Sequence, residues 1–136
     1  MDDRIAPYLR RVMLIDDNAV DQMLYRRILE RSGYVRTVLS FLYAEDALDH
    51  LEGRGLRGID LILLDINMPR MNGFEFLNEV DRRWGEEFPC VVMMLTTSLE
   101  QKDEARARSY SMVKGYLHKP LTEDQVLDLA SVPNGR

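Results

Sequence analysis

The sequence predicts an α/β domain with a doubly wound, five-stranded parallel sheet. Three observations carry that expectation. Five short apolar runs alternate with five segments whose apolar residues recur at helical spacing. Two of the runs, at 60–64 and 90–95, are apolar almost throughout, as strands covered on both faces are. Acids, threonines and a lysine fall at the ends of the runs, the edge where ligands bind in such folds.

The first strand is expected over residues 11–15. Asn18 suits the N-cap of the first helix, with Asp21 in its first turn. Val20, Met23, Leu24 and Ile28 form the expected core face of that helix, and Gly33 stops it. The second strand is expected over 36–41. The second helix carries Ala47, Leu48 and Leu51 without a clear cap, and the glycines of 53–58 mark a loop. The third strand is 60–64. The third helix begins near Gly73, turns Phe74, Leu77, Val80 and Trp84 to the core, and ends at Gly85. The fourth strand is 90–95. The fourth helix is expected after Ser98, with Gln101 completing a capping box. The fifth strand is 114–118, and Thr122 with Gln125 repeats the box before a short fifth helix. Residues 1–10 form an N-terminal extension, 11–131 one domain, and 132–136 a tail that should fray.

Composition narrows the function. Twenty-three acids against 18 lysines and arginines give a formal net charge of −5, which disfavours nonspecific nucleic-acid binding. The arginine pairs at 10–11, 26–27 and 82–83 read as solvated helix faces. Cys90 is the sole cysteine, and it lies in a strand expected to be buried. It cannot form an internal disulfide, which fits a reducing cytoplasm. The start at 1–4 has no signal-peptide character, and no apolar run approaches the roughly 20 residues that span a bilayer. A cytoplasmic protein with neither a membrane nor a nucleic-acid partner is expected. His50 and His118 are far apart, and no Cys/His pair has zinc-ligand spacing.

In the strand order 2-1-3-4-5 the first and third strands are neighbours. Asp16, Asp17 and Asp65 then converge, with Thr96 and Thr97 ending the fourth strand and Lys119 following the fifth. Crowded buried acids are costly unless a cation joins them. Three carboxylates without His or Cys prefer Mg²⁺, Mn²⁺ or Ca²⁺ to zinc. Mg²⁺ typically takes one or two carboxylates, which leaves a third free to attack a phosphoryl group and form an aspartyl phosphate. The Lys119 ammonium can hold one phosphoryl oxygen, and a hydroxyl from Thr96 or Thr97 another.

Four segments in this order carry a resemblance: LIDDN at 14–18, LLDINMPRMNGFEFL at 63–77, MLTTS at 94–98 and HKPL at 118–121. Over about 11–129 the chain resembles the receiver domain of two-component response regulators, the flavodoxin-like (α/β)5 fold of the bacterial chemotaxis regulator. The resemblance implies that Asp65 accepts a phosphoryl group from a sensor histidine kinase or a histidine phosphotransfer protein. It implies Mg²⁺ held by the side chains of Asp17 and Asp65 and the backbone carbonyl of Asn67, with Asp16 acting through water. It implies Lys119 paired with the phosphoryl group, a cis Lys119–Pro120 bond, Thr96 as the switch hydroxyl and Tyr116 as the aromatic switch. Thr96 to Lys119 is one residue longer than the family spacing, whereas Thr97 keeps it. Counting on to Asp103 favours Thr96, with the extra residue near Met112-Val113 and Thr97 as the alternate.

Output is expected through an unnamed downstream protein or as a phosphate sink, from a monomer or weak dimer; a light-sensing kinase is a partner by analogy only. The fourth helix offers few apolar anchors, Ala105, Ala107 and Tyr110, so it is the element expected to move. Three rivals remain. Phosphatases of the haloacid dehalogenase group need an acid where Asn67 stands. Nucleotide or flavin binders would need a G-x-x-x-x-G-K-[ST] or G-x-G-x-x-G after the first strand, and neither is present. A receiver fold acting unphosphorylated is opposed by the intact acids and Lys119. The expected chemistry is confined to the chain's own phosphorylation and dephosphorylation, so it is not an enzyme acting on other substrates.

Overall fold

Parallel pairing of β1 (Leu9–Ile15) with both β2 (Val35–Phe41) and β3 (Leu61–Leu64) sets the centre of the sheet. β4 (Val91–Thr96) and β5 (Val113–His118) extend it, giving the order β2-β1-β3-β4-β5. A computed structural model of the chain describes residues 8–131. The expected tail at 132–136, and residues 1–7 of the expected N-terminal extension, lie outside that range. The helices are α1 (Ala19–Arg31), α2 (Ala44–Arg54), α3 (Gly73–Trp84), α4 (Gln101–Arg108) and α5 (Glu123–Ser131).

Strand side chains alternate between two cores. Met13, Ile15, Ile62, Leu64, Val92 and Met94 pack with α2, α3 and Ala107 of α4. Val12, Leu14, Leu61, Leu63 and Leu95 pack with Tyr25 and Leu29 of α1 and Val126 and Ala130 of α5. All four residues of β3 are buried, as its unbroken apolar run predicts. Cys90 is buried, and burial first, then the charge of Asp60, pushes its thiol pKa up to about 12, so it behaves as a small core residue.

Local signals set most helix ends. Asn18 Oδ1 accepts from Asp21 N at 3.0 Å and starts α1. Thr122 and Gln125 exchange the expected reciprocal bonds at α5. An unforeseen capping box, Asn72 with Glu75, starts α3. The box expected at Ser98 and Gln101 does not form. Ser98 turns its hydroxyl to Asp103 Oδ2 at 2.7 Å, and α4 begins only at Gln101 with no side-chain cap.

The core face expected for α1 is also corrected. Gln22, Tyr25 and Leu29 are buried, Ile28 is half-buried, and Val20, Met23 and Leu24 stand 60%, 57% and 49% exposed. The cause lies in the strands beneath. Gln22 Nε2 donates to the carbonyls of Leu14, Asp16 and Phe41 at 3.1, 3.0 and 2.7 Å. The inward amide adds a donor that bridges these carbonyls, and the helix rotation that places it there turns Val20, Met23 and Leu24 to solvent.

The extra residue between Thr96 and Lys119 is absorbed as a bulge. Val92 pairs with Val113 but Met93 pairs with Gly115, which leaves Lys114 as the additional residue in β5. Downstream the register is regular, ending with Thr96 opposite His118. Among the described residues, no helix is long and apolar enough to cross a membrane.

Candidate functional site

The carboxyl ends of β1 and β3 bring three acids together. Asp16 is 1% exposed, Asp17 is exposed and Asp65 is buried. One oxygen from each lies within 4.8 Å of the others. Asp65 N donates to Ile15 O at 3.1 Å, which locks the end of β3 to that of β1. Ile66 N donates to Asp65 Oδ1 at 2.7 Å and leaves Oδ2 facing Lys119 at 3.3 Å.

The loop after Asp65 folds back tightly. Gly73 N donates to Ile66 O at 2.8 Å. A Cβ on Gly73 would lie 2.4 Å from the Asp65 carbonyl oxygen and 2.9 Å from Ile66 Cα, so only glycine fits this approach.

Lys119 enters from β5. Its N–H donates to Thr96 O at 2.9 Å, and the Lys119–Pro120 bond is cis. Its Nζ lies 2.7 Å from Asp16 Oδ2, 2.8 Å from Asp21 Oδ2 and 3.3 Å from Asp65 Oδ2. Burial alone would lower the ammonium pKa. Its close contacts with Asp16 and Asp21 and the charges of Asp65 and Asp16 outweigh burial and raise it. Asp16 is also shifted upward, by burial first, against the pull of Lys119 and the Asn18 N–H. Around this one ammonium stand three carboxylates, Asp16, Asp21 and Asp65, so the site is short of positive charge.

That shortage bears on a metal. Asp16 Oδ2 is buried and has no aligned hydrogen bond, since its Lys119 contact is an ion pair rather than a directed bond. An under-satisfied buried oxygen beside two further carboxylates, with no His or Cys in the group, fits a hard divalent cation.

The other expected residues divide. Thr96 is fully buried at the end of β4, with Oγ1 accepting from Ser98 N at 3.2 Å, whereas Thr97 is exposed. Asn67 is exposed, two residues beyond Asp65. Tyr116 stands apart from the acids: it pairs with Met94, and its hydroxyl donates to Ser98 O at 3.4 Å. Sequence reasoning missed Asp21, Gln22 and Gly73 as parts of this edge. Asp21 had read only as a first-turn helix acid.

This arrangement of sheet edge, acids and lysine defines a receiver domain of two-component signalling. The chain belongs to the response regulator receiver domain family, whose model matches residues 12–131. A probable methanogenesis regulatory protein, FilR2, of Methanothrix harundinacea is 35% identical over 115 residues, covering 82% of this chain and 72% of that protein. Hybrid signal transduction histidine kinase B of Dictyostelium discoideum is 28% identical over 129 residues, but the match covers only 6% of its length against 88% of this chain. A two-component response regulator from Cytophaga hutchinsonii shares the structure with a TM-score of 0.80 at 26% identity, over 90% of this chain and 97% of that one. The chemotaxis protein CheY4 of Vibrio cholerae gives 0.73 at 26% identity, over 89% and 95%.

Proposed function

We propose that Asp65 is the phosphoacceptor of a two-component phosphorelay and that its phosphorylation switches a protein-binding face or drains phosphoryl groups from a kinase. One observation carries this. Asp65 Oδ2 is free of backbone donors, beside two other acids and the Lys119 ammonium, while Oδ1 is tied to Ile66. The donor is a phosphohistidine of a sensor kinase or phosphotransfer protein. Oδ2 attacks phosphorus, the O–P bond forms as the P–N bond breaks, and the imidazole nitrogen leaves with that electron pair. Water later attacks phosphorus and restores Asp65 and inorganic phosphate.

Asp17 and Asp65, with the Asn67 carbonyl and with Asp16 through water, would hold Mg²⁺. Bound there, Mg²⁺ supplies neutralising charge for the incoming phosphoryl group. Lys119 holds one phosphoryl oxygen. Thr96, buried at the strand end, is better placed than exposed Thr97 to donate to another. Tyr116, hydrogen-bonded to Ser98 in the β4–α4 loop, would register the change. The chain acts on no other substrate in this reading, and its setting is the cytoplasm.

The exposed apolar residues of α1 suit the donor. Val20, Met23 and Leu24 follow directly from the Asp16–Asn18 loop at the rim of the site, so a partner presenting a histidine to Asp65 lies across them. Arg26 and Arg27 on the same helix favour acidic residues on that partner.

The test is intact mass after incubation with acetyl phosphate and Mg²⁺. Wild type gains one phosphoryl group only with Mg²⁺, and Asp65→Asn gains none. Labelling that persists in Asp65→Asn overturns the assignment. So does a wild type that neither labels nor binds beryllofluoride.

A further inference from the structure

Lys119 is shared with an acid outside the cation cluster. Its Nζ is 2.8 Å from Asp21 Oδ2, nearly as close as Asp16 at 2.7 Å and closer than Asp65 at 3.3 Å. Its directed N–H bonds go to Asp21 and Asp65, and Asp16 is held as a close ion pair. The pair is not a loose surface contact, since the side chains are 9% and 24% exposed. Asp21 is held in place by its own N–H, which donates to Asn18 Oδ1 at the start of α1. It does not belong to the group formed by Asp16, Asp17 and Asp65.

We propose that Asp21 is a positioning residue that competes with the phosphoryl group on Asp65 for the Lys119 ammonium, and so weakens the hold on the phosphorylated state. The inference rests on Asp65 being the acceptor. A phosphoryl group at Asp65 Oδ2 is held best when Lys119 turns its N–H groups to the new oxygens. Each N–H kept by Asp21 is withheld from them. Asp21 also adds negative charge facing an anionic group. Both effects act in one direction, so a chain without this carboxylate grips an anion on Asp65 more tightly. Asp16 lies in the cation cluster, so Asp21 is the acid that still competes for Lys119 when a cation is bound.

The test is a calorimetric titration of the full chain with beryllofluoride, a phosphoryl mimic, in the presence of Mg²⁺. It compares wild type, Asp21→Asn, Lys119→Gln and the double variant. Asp21→Asn is expected to bind about fivefold tighter, with the gain falling below about twofold in the Lys119→Gln background. No gain in Asp21→Asn overturns the inference. An equal gain in both backgrounds also overturns it, because Asp21 would then act as a field alone.

If Lys119→Gln binds no beryllofluoride, the same cycle is read from Mg²⁺ affinity. Asp21→Asn then weakens Mg²⁺ binding with Lys119 present, because the freed ammonium leans harder on Asp16 and Asp65. The loss should be smaller without Lys119, and equal losses overturn the inference. A wild type that neither labels with acetyl phosphate nor binds beryllofluoride, or Asp65→Asn binding as well as wild type, overturns the acceptor reading and this inference with it. A wild type that labels but binds no beryllofluoride is read from the Mg²⁺ cycle. Wild-type binding that Asp65→Asn abolishes, with no gain in Asp21→Asn, overturns the inference alone.

Discussion

At Gly73 the missing side chain is what lets the loop close on Asp65. A methyl group there meets backbone atoms on two residues, and backbone cannot swing aside as a side chain tip can. Gly73→Ala is expected to cost roughly 1–3 kcal/mol of stability. It should also slow labelling by acetyl phosphate well beyond that loss, because it displaces the Asp65 carbonyl. Urea unfolding and labelling rate, measured on one preparation, check this. Unchanged labelling would mean that the loop yields away from the acid. The sequence made Gly73 visible as a helix start and Asp65 as a strand end. It could not show their contact, because close approach across a fold-back is a property of the loop path. Asp21 escaped notice for a related reason: its partner Lys119 lies 98 residues away.

On the scale of elements, the strands were the most legible, because unbroken apolar runs need only short-range reading. β3 and β4 began within a residue of expectation. The face of α1 was not legible, because Gln22 is drawn inward by carbonyls on two strands, one of them 19 residues further on. The exposed stripe that results leads to a prediction. Met23→Glu should leave acetyl phosphate labelling within about twofold and stability within about 0.5 kcal/mol, as for exposed positions generally. Transfer from a phosphohistidine donor should fall at least tenfold. Equal losses with both donors would remove α1 as the docking face.

α4 makes a different case. Among its residues only Ala107 is buried. The α4 region is otherwise tied to α3 by Arg106 over the Phe74 ring at 4.2 Å and by the Tyr110 hydroxyl bonded to Asn78. Polar ties over so little apolar burial let an element shift at low cost. Amide exchange across 98–110 should change on adding beryllofluoride and Mg²⁺, and identical exchange would count against α4 as the moving part.

For the whole molecule, the charge imbalance at one sheet edge links cation binding to stability. A cation that binds the folded chain alone, at ten times its dissociation constant, adds about 1.4 kcal/mol. In a domain of this size that raises Tm by roughly 3–8 °C. The pH sign follows from Asp16. Its folded pKa lies above the unfolded value of about 3.9, so its protonated form favours the fold and that contribution is lost as pH rises through the raised pKa. Cation binding needs the carboxylate, so the Mg²⁺-dependent gain should be full at neutral pH and shrink at a second, more acidic pH that approaches the raised Asp16 range. Lys119 does not disturb this window. Its contribution is complete below its unfolded pKa of about 10.4 and is lost only as pH rises through its higher folded value. Thermal melts with and without Mg²⁺ at the two pH values check it, and a gain that grows on acidification would contradict it.

The Lys114 bulge gives the sheet an adjustable margin. Alternation along a strand is strict, so one uncompensated residue would send Tyr116 and His118 to the opposite faces and carry Lys119 away from the acids. The surplus is spent near the entry of β5, several residues before Lys119, and the strand reaches its exit in register. Length changes can therefore be tolerated where β5 begins, while its last residues keep a fixed count to the lysine. In this domain the entrance of the sheet is where the chain can vary, and its exit is where it is held to gauge.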